Sequence, residues 1–261
     1  MFEYLEYLGL ACIPAFLVLD LVHRKRDYAT PRYWRLYGTV VTVVIVGVSM
    51  GVAALWGEGL AGYSLFDGQA LGIVGGAVVG IFVYELIHYG YHRLAHEWTP
   101  LWRLGHQVHH SAESLDAFGA NYQHPIDAAF FTTWSSLVFF PLLGLMPEAG
   151  ILGAAFLGFN AMFQHANIAT PRWLGYFIQR PESHCVHHAQ GVHRYNYADL
   201  PIVDMIFGTF RNPETVDGMA QGFRNGDSAR YLEMLAFKDV SGPPGEESAM
   251  PSGSRPSAQA G

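Results

Sequence analysis

Five apolar runs, at roughly residues 7–22, 37–57, 70–88, 127–146 and 149–166, constrain this chain more than any other feature. Each is close to the ~17–25 residues that a helix needs to cross hydrocarbon. In lipid no water satisfies backbone N–H and C=O groups, so runs of this length read as helices that close their own hydrogen bonds. Asp20 near the end of the first run, and Asn160 and Gln164 in the fifth, leave those two either short of full spans or partly at the interface. Only 14% of the residues are charged, against ~25% in an ordinary soluble domain. The expectation is an all-α integral membrane protein.

Twelve of the thirteen histidines lie between His88 and His193, most of them in the clusters HRLAH, HQVHH and HCVHH. Steps of three and four residues return to nearly the same azimuth of a helix. His92 and His96 therefore share a face, and His106, His109 and His110 fan over a narrow arc that His184, His187 and His188 repeat. A solitary histidine on an apolar face is usually a satisfied core side chain. Eight at repeating spacing are different, because each ring buried without a shared purpose needs its own hydrogen-bond partner. Imidazole is the common neutral ligand of redox-capable metals, and one mononuclear site consumes only three or four. The density asks for two metals.

The loop from His23 to Arg35, HRKRDYATPRYWR, is strongly basic and is placed in the cytoplasm. Alternation from there puts residues 58–69 and the Pro147 turn outside, and neither contains Lys or Arg. All fifteen basic residues and all three histidine clusters then fall on the cytoplasmic side. The opening MFEYLEYLGL carries acids where a cleavable leader has bases, so no signal peptide is expected. Cys12 and Cys185 give neither a disulfide framework nor a thiolate zinc site, and Cys185 reads as a small helical residue. A net charge of -7 offers no basic field for nucleic acid. Residues 171–212, punctuated by Pro171, Pro181 and Pro201, read as compact helices and turns at the membrane surface, and DMIFGTF as packing that ends a helix at Gly208. The tail 241–261 reads as disordered.

The order HRLAH, LWRLGHQVHHS, NYQHPID, FQHANI, RPESHCVHH and NYADLPIVDMIFGTF resembles the fatty acid hydroxylase and sterol desaturase superfamily of membrane-bound, histidine-rich di-iron oxygenases, over about residues 84–212. The resemblance implies a helical membrane bundle of about four to five transmembrane or interfacial helices, with a cytoplasm-facing helical cap holding a di-metal site. Residues 1–88 would then be N-terminal membrane helices, and residues 89–240 the catalytic region with a transmembrane hairpin at 127–166. Carried over position by position, His92 and His96 match the first box, His106, His109 and His110 the second, and His184, His187 and His188 the third, with His165 matching a further ligand. Glu85, seven residues before His92 on the same face, matches a family acid and is read as accepting an N–H from a ligand ring. His88 continues the His92 and His96 face one turn deeper, where the family more often has an aromatic residue, so its role as a ligand stays open. His124 matches an HP element and is either a tenth ligand or a cap for the following helix. His193 lies either behind a ligand or facing substrate.

The implied cofactors are two iron ions, with zinc as a substitute in purified or inactive protein, and oxygen is the co-substrate. The implied reaction is hydroxylation or desaturation of a lipid such as a fatty acyl chain or sterol. Compact length and the lack of retention signals point of themselves to a bacterial inner membrane. No dinucleotide fingerprint, cysteine-rich cluster set or haem domain is present, so electrons would come from a separate ferredoxin or cytochrome with its reductase. Arg93, Arg103, Arg172, Arg180 and Arg194 either dock such a donor or simply face phospholipid. Rival readings are a carotenoid or isoprenoid hydroxylase, a zinc-holding lipid-binding relative without turnover, and a haem carrier. Haem needs two axial ligands, which leaves most of the histidines unexplained.

Overall fold

A computed structural model describes residues 4–241 of the chain. It is helical throughout, with no β-strand among the described residues and one isolated bridge between Ala189 and Gln221. The tail read as disordered lies, beyond Ser241, outside the described residues.

Five long helices follow the five apolar runs: α1 (Leu5–Val22), α2 (Trp34–Gly59), α3 (Gly72–Glu97), and, after the short α4 (Thr99–Leu101) and α5 (Gln107–His110), α6 (Pro125–Leu137) and α7 (Pro147–His165). They pack in the order α1, α7, α3, α6, α2. By length and composition, Trp34–Gly59 and Gln69–Glu97 are long and apolar enough to cross a membrane, and Gly9–Val22 is a shorter apolar stretch. Their outer faces stay apolar, with Val43, Met50 and Leu55 exposed on α2 and Val74, Val78 and Phe82 on α3. A face of this kind suits lipid as its solvent.

Two details depart from the apolar runs. Helix α3 does not end near residue 88 but continues to Glu97, which makes its last turns a rigid rod carrying His92 and His96. The fourth run is also not one helix, because α6 gives way at Val138 to a π-helical turn, Val138–Leu142, that contains Pro141. Proline has no N–H to donate and cannot continue the regular ladder.

Asp20 explains how a carboxylate sits near the end of an apolar helix. It is buried, and its oxygens accept the backbone amides of Ala117 (2.6 Å) and Asn167 (3.1 Å), tying the end of α1 to both loops that flank the histidine region. A layer of short helices follows, in which α8 (Pro181–His187) packs on α7, α9 (Pro201–Phe207) on α3, and α10 (Tyr231–Leu235) on α5. Arg26 reaches into this layer, donating to Glu182 (2.7 Å) and to the carbonyl of Ile168 (2.9 Å). Arg180 was expected on a surface facing a donor or phospholipid, and the structure corrects this. Its side chain is fully buried and donates to Glu182, Asn212 and the carbonyls of Thr170 and Pro213, because a buried guanidinium needs every N–H paired. Glu182 and Arg180 sit in and beside the first turn of α8 and so set its placement. Cys185 lies in the same helix with its sulfur against Tyr28 and Gln221, and burial pushes its thiol up to about 11.

Candidate metal centre

Four chain segments bring their histidines to one place. The end of α3 supplies His92 and His96, a π-helical turn (Trp102–His106) and α5 supply His106, His109 and His110, the last residue of α7 is His165, and α8 supplies His184 and His187 with His188 at its cap. The wide turn between Trp102 and His106 depends on Gly105, since a Cβ there would stand 2.8 Å from the Cβ of Asp127. That close approach lets His106 reach α6.

The nine rings fall into two groups, each able to hold a metal ion. His92, His96, His106, His110 and His187 form one, and His109, His165, His184 and His188 the other, with the donor atoms of each group within 4.8 Å of one another. The groups touch where His110 stacks on His188 at 4.2 Å between ring centroids.

The orientation of the rings shows that the donor chemistry fits a cation in each group. Nδ1 of His92 lies 2.6 Å from the carbonyl of Tyr197, that of His187 2.7 Å from the carbonyl of Tyr195, and that of His165 2.7 Å from the carbonyl of Ala161. A carbonyl only accepts, so each Nδ1 carries the proton and each Nε2 presents a bare lone pair. Nε2 of His92, His110 and His187, and both ring nitrogens of His188, are buried without a hydrogen-bond partner. Nε2 of His165 also lies 3.2 Å from Nε2 of His109, whose Nδ1 faces the carbonyl of Tyr122 at 3.4 Å, and 3.1 Å from Nε2 of His184. Two lone pairs facing each other repel unless a cation lies between them. Nitrogens each about 2.1 Å from one ion and at a right angle stand about 3.0 Å apart, which matches this spacing and the 3.0 Å between His96 and His106.

Burial, followed by the neighbouring imidazoles, holds His109, His110, His184, His187 and His188 well below the ordinary histidine range. The rings are neutral at pH 7, the form that binds metal.

A layer of groups without metal-binding spacing positions these rings. Asp127 takes Nδ1–H of His106 on Oδ2 (2.8 Å) and the hydroxyl of Tyr91 on Oδ1 (2.8 Å). The carbonyls of Tyr195 and Tyr197 are aimed by a strained loop in which His193, Tyr195 and Asn196 have φ of 41, 70 and 50°. Bulky side chains rarely adopt such values, and they persist where surrounding contacts enforce them. Asn196 is held by its bonds to the carbonyls of Ser183 and Arg211. Asp204 on α9 accepts the amides of Tyr197 and Ala198 and the hydroxyl of Thr209. The DMIFGTF segment is thus structural as expected, ending α9 at Gly208 with φ of 76°, and it holds the loop that orients two of the rings.

The remaining candidates lie outside the two groups. His193 stands behind His110, Nδ1 to Nδ1 at 3.0 Å. His124 caps α6, accepting the amide of Ile126 (3.1 Å), and its ring packs on Phe237. His88 stacks on His92 at 5.3 Å and nearly parallel. Glu85 does not accept from a ligand ring; its Oε2 accepts the backbone amides of Asp199 (2.7 Å) and Leu200 (3.2 Å), because the 199–200 strap crosses α3 at that level. Asp127, Asp199 and Asp204 had no assigned role in the sequence, and carbonyl partners such as Tyr195 and Tyr197 leave no trace in side-chain spacing.

A cavity of about 620 Å³ runs from His92, His106, His109 and His165 to Leu10, Ile13, Ile45 and Met50 between α1, α2, α6 and α7, with mainly apolar walls. Of the arginines considered for donor docking, Arg93 pairs with Glu97, Arg103 donates to the carbonyl of Phe237 and Arg172 to that of Asn212.

Residues 77–209 match the fatty acid hydroxylase family. The chain is 34% identical to the alkylglycerol monooxygenase of Homo sapiens over 51% of its own length and 30% of that protein's. It is 29% identical to an ornithine lipid hydroxylase of Rhizobium tropici over 76% of this chain and 61% of the relative. It is 28% identical to a very-long-chain aldehyde decarbonylase of Oryza sativa subsp. japonica over 51% and 53%. The chain thus spans between about a third and three fifths of the length of these relatives. No solved structure matches it.

Proposed function

The chain belongs to the fatty acid hydroxylase family, and from that premise we propose that it is a membrane-bound, di-iron, oxygen-dependent oxidoreductase that hydroxylates or desaturates a C–H bond of a lipid such as a fatty acyl chain or sterol. The observation that carries the reading is the pair of histidine groups, in contact through His110 and His188, at the mouth of an apolar cavity. Its relatives are named for reactions on alkylglycerols, ornithine lipids and very-long-chain aldehydes.

His92, His96, His106, His110 and His187 would hold one ion and His109, His165, His184 and His188 the other. Bound iron supplies the oxygen activation and the removal of hydrogen from an unactivated carbon. The protein supplies position and dryness. Carbonyls of Tyr195, Tyr197 and Ala161 and the Asp127 carboxylate fix each ring with its lone pair inward. The apolar walls align a hydrocarbon chain past the histidines and keep water from it, and the alignment of one carbon decides between an alcohol and a double bond. With α1, α2, α3 and the α6–α7 hairpin in the bilayer and the basic loop in the cytoplasm, the short-helix layer is a cytoplasmic cap within reach of a separate ferredoxin or cytochrome. A bacterial inner membrane suits this layout.

Expression in a host lacking the activity, followed by lipid mass spectrometry, tests the reading. A gain of one oxygen or loss of two hydrogens on a host lipid, absent with His109→Ala although the variant still inserts, is expected. A product confined to carotenoids would reassign the substrate. No oxygen consumption with iron, donor and lipid supplied would make the protein a zinc-holding relative without turnover.

A further inference from the structure

We propose that Glu85, His88 and Asp199 form a third cation site, for a divalent first-row transition ion, apart from the two histidine groups. One donor atom from each lies within 4.8 Å of the others, and all three side chains are buried.

The orphaned atoms carry the argument. Glu85 is fully buried; Oε2 is occupied by the amides of Asp199 and Leu200, and Oε1 has no partner at all. Nδ1 of His88 is likewise buried without a partner and lies 3.8 Å from Glu85 Oε2, beyond hydrogen-bond reach. Asp199 is held in place through Oδ1 by Gln164 (2.9 Å). Among the described residues neither carboxylate is paired with a lysine or arginine, and the ring of His88 is the ion partner facing Glu85. Two carboxylates withdrawn from water without a counter-charge are costly, and so are two orphaned polar atoms. A proton on either orphan neutralises charge but finds no acceptor within hydrogen-bond reach. A cation about 2.0–2.2 Å from each donor engages Glu85 Oε1, His88 Nδ1 and an Asp199 oxygen together. One imidazole nitrogen with two carboxylate oxygens suits zinc, manganese or ferrous iron.

His88 and Asp199 also border the apolar cavity. The ring of His88 stacks on His92, which places the extra positive charge one helical turn from the five-histidine group. The ion would clamp α3 to the 199–200 strap just beyond Tyr197, whose carbonyl orients His92. This inference goes beyond the lipid-oxidising reading and does not require it.

The test counts metal in the full chain. Protein purified in detergent is stripped with chelator, reloaded with Zn²⁺ alone, freed of excess ion and assayed for zinc per chain. Asp199→Asn and, separately, His88→Phe, which keeps an aromatic ring against His92, are expected to hold one zinc fewer than the parent. A metal-free melting temperature near the parent's in either variant establishes that the loss is not unfolding. The reading is the difference between parent and variant, so it stands whatever the histidine groups hold. Equal zinc in the parent and both variants would overturn the proposal, leaving a shared proton to neutralise the cluster.

Discussion

The two histidine groups are built from the same ligand type but supported differently. In the five-histidine group, rings come from α3, the π-helical turn and α5, and α8; His106 is backed by a carboxylate, His92 and His187 by carbonyls of the strained loop, and His110 by His193. In the four-histidine group the backing is two carbonyls, Ala161 within the helix of His165 itself and Tyr122 at a long 3.4 Å, while Nδ1 of His184 and of His188 is unpartnered. A ligand whose far nitrogen is fixed loses less freedom on binding and is the more basic donor. The five-histidine group should therefore hold its ion more tightly.

The largest effect expected is from His110→Ala, which removes a ligand of the first group and the ring that stacks on the second. Product should vanish and both ions should bind weakly, as read by lipid mass spectrometry and elemental analysis. Asp127→Asn comes next. It replaces the carboxylate behind His106, and loss of such a partner typically costs ~10–100-fold in metal affinity. The loss should be confined to one ion; equal loss of both would erase the distinction between the groups. Chelator titration of the parent should be biphasic, with the less supported four-histidine group emptying first.

Acid sharpens the comparison from another side. Burial first, then neighbouring rings, depress the folded-state pKa values of His109, His110, His184, His187 and His188. The unfolded chain takes up protons as pH falls through about 6.5, while the folded rings stay neutral. The unfolded state then binds more protons, so the metal-free protein should lose stability below about pH 6.5 and change little above it. Thermal melts across pH 5 to 8 check the sign. The smallest effect belongs to His124→Ala, which removes a cap worth about 1 kcal/mol and should lower the melting temperature slightly with metal content unchanged.

Much of this arrangement was legible in the residues. Runs of apolar side chains marked all five long helices, and three- and four-residue histidine steps singled out the side chains that the structure gathers, because both signals are periodic along the chain. Most of what escaped was not periodic. The apolar signal of α3 stops near residue 88, and only the four-residue steps of His88, His92 and His96 mark its continuation toward Glu97. The partners of His92 and His187 are backbone carbonyls, which any residue supplies. Asp127 sat in view within NYQHPID, yet its pairing with His106 depends on the absent side chain of Gly105. Arg180 illustrates the opposite error, since charge alone suggested a surface and only its partners reveal a buried brace.

Nine rings in two touching groups should hold two neighbouring ions. Anomalous diffraction from crystals of the metal-loaded protein tests this most directly. A peak is expected inside each histidine group; a single peak, or either group left empty with metal saturating, would contradict it.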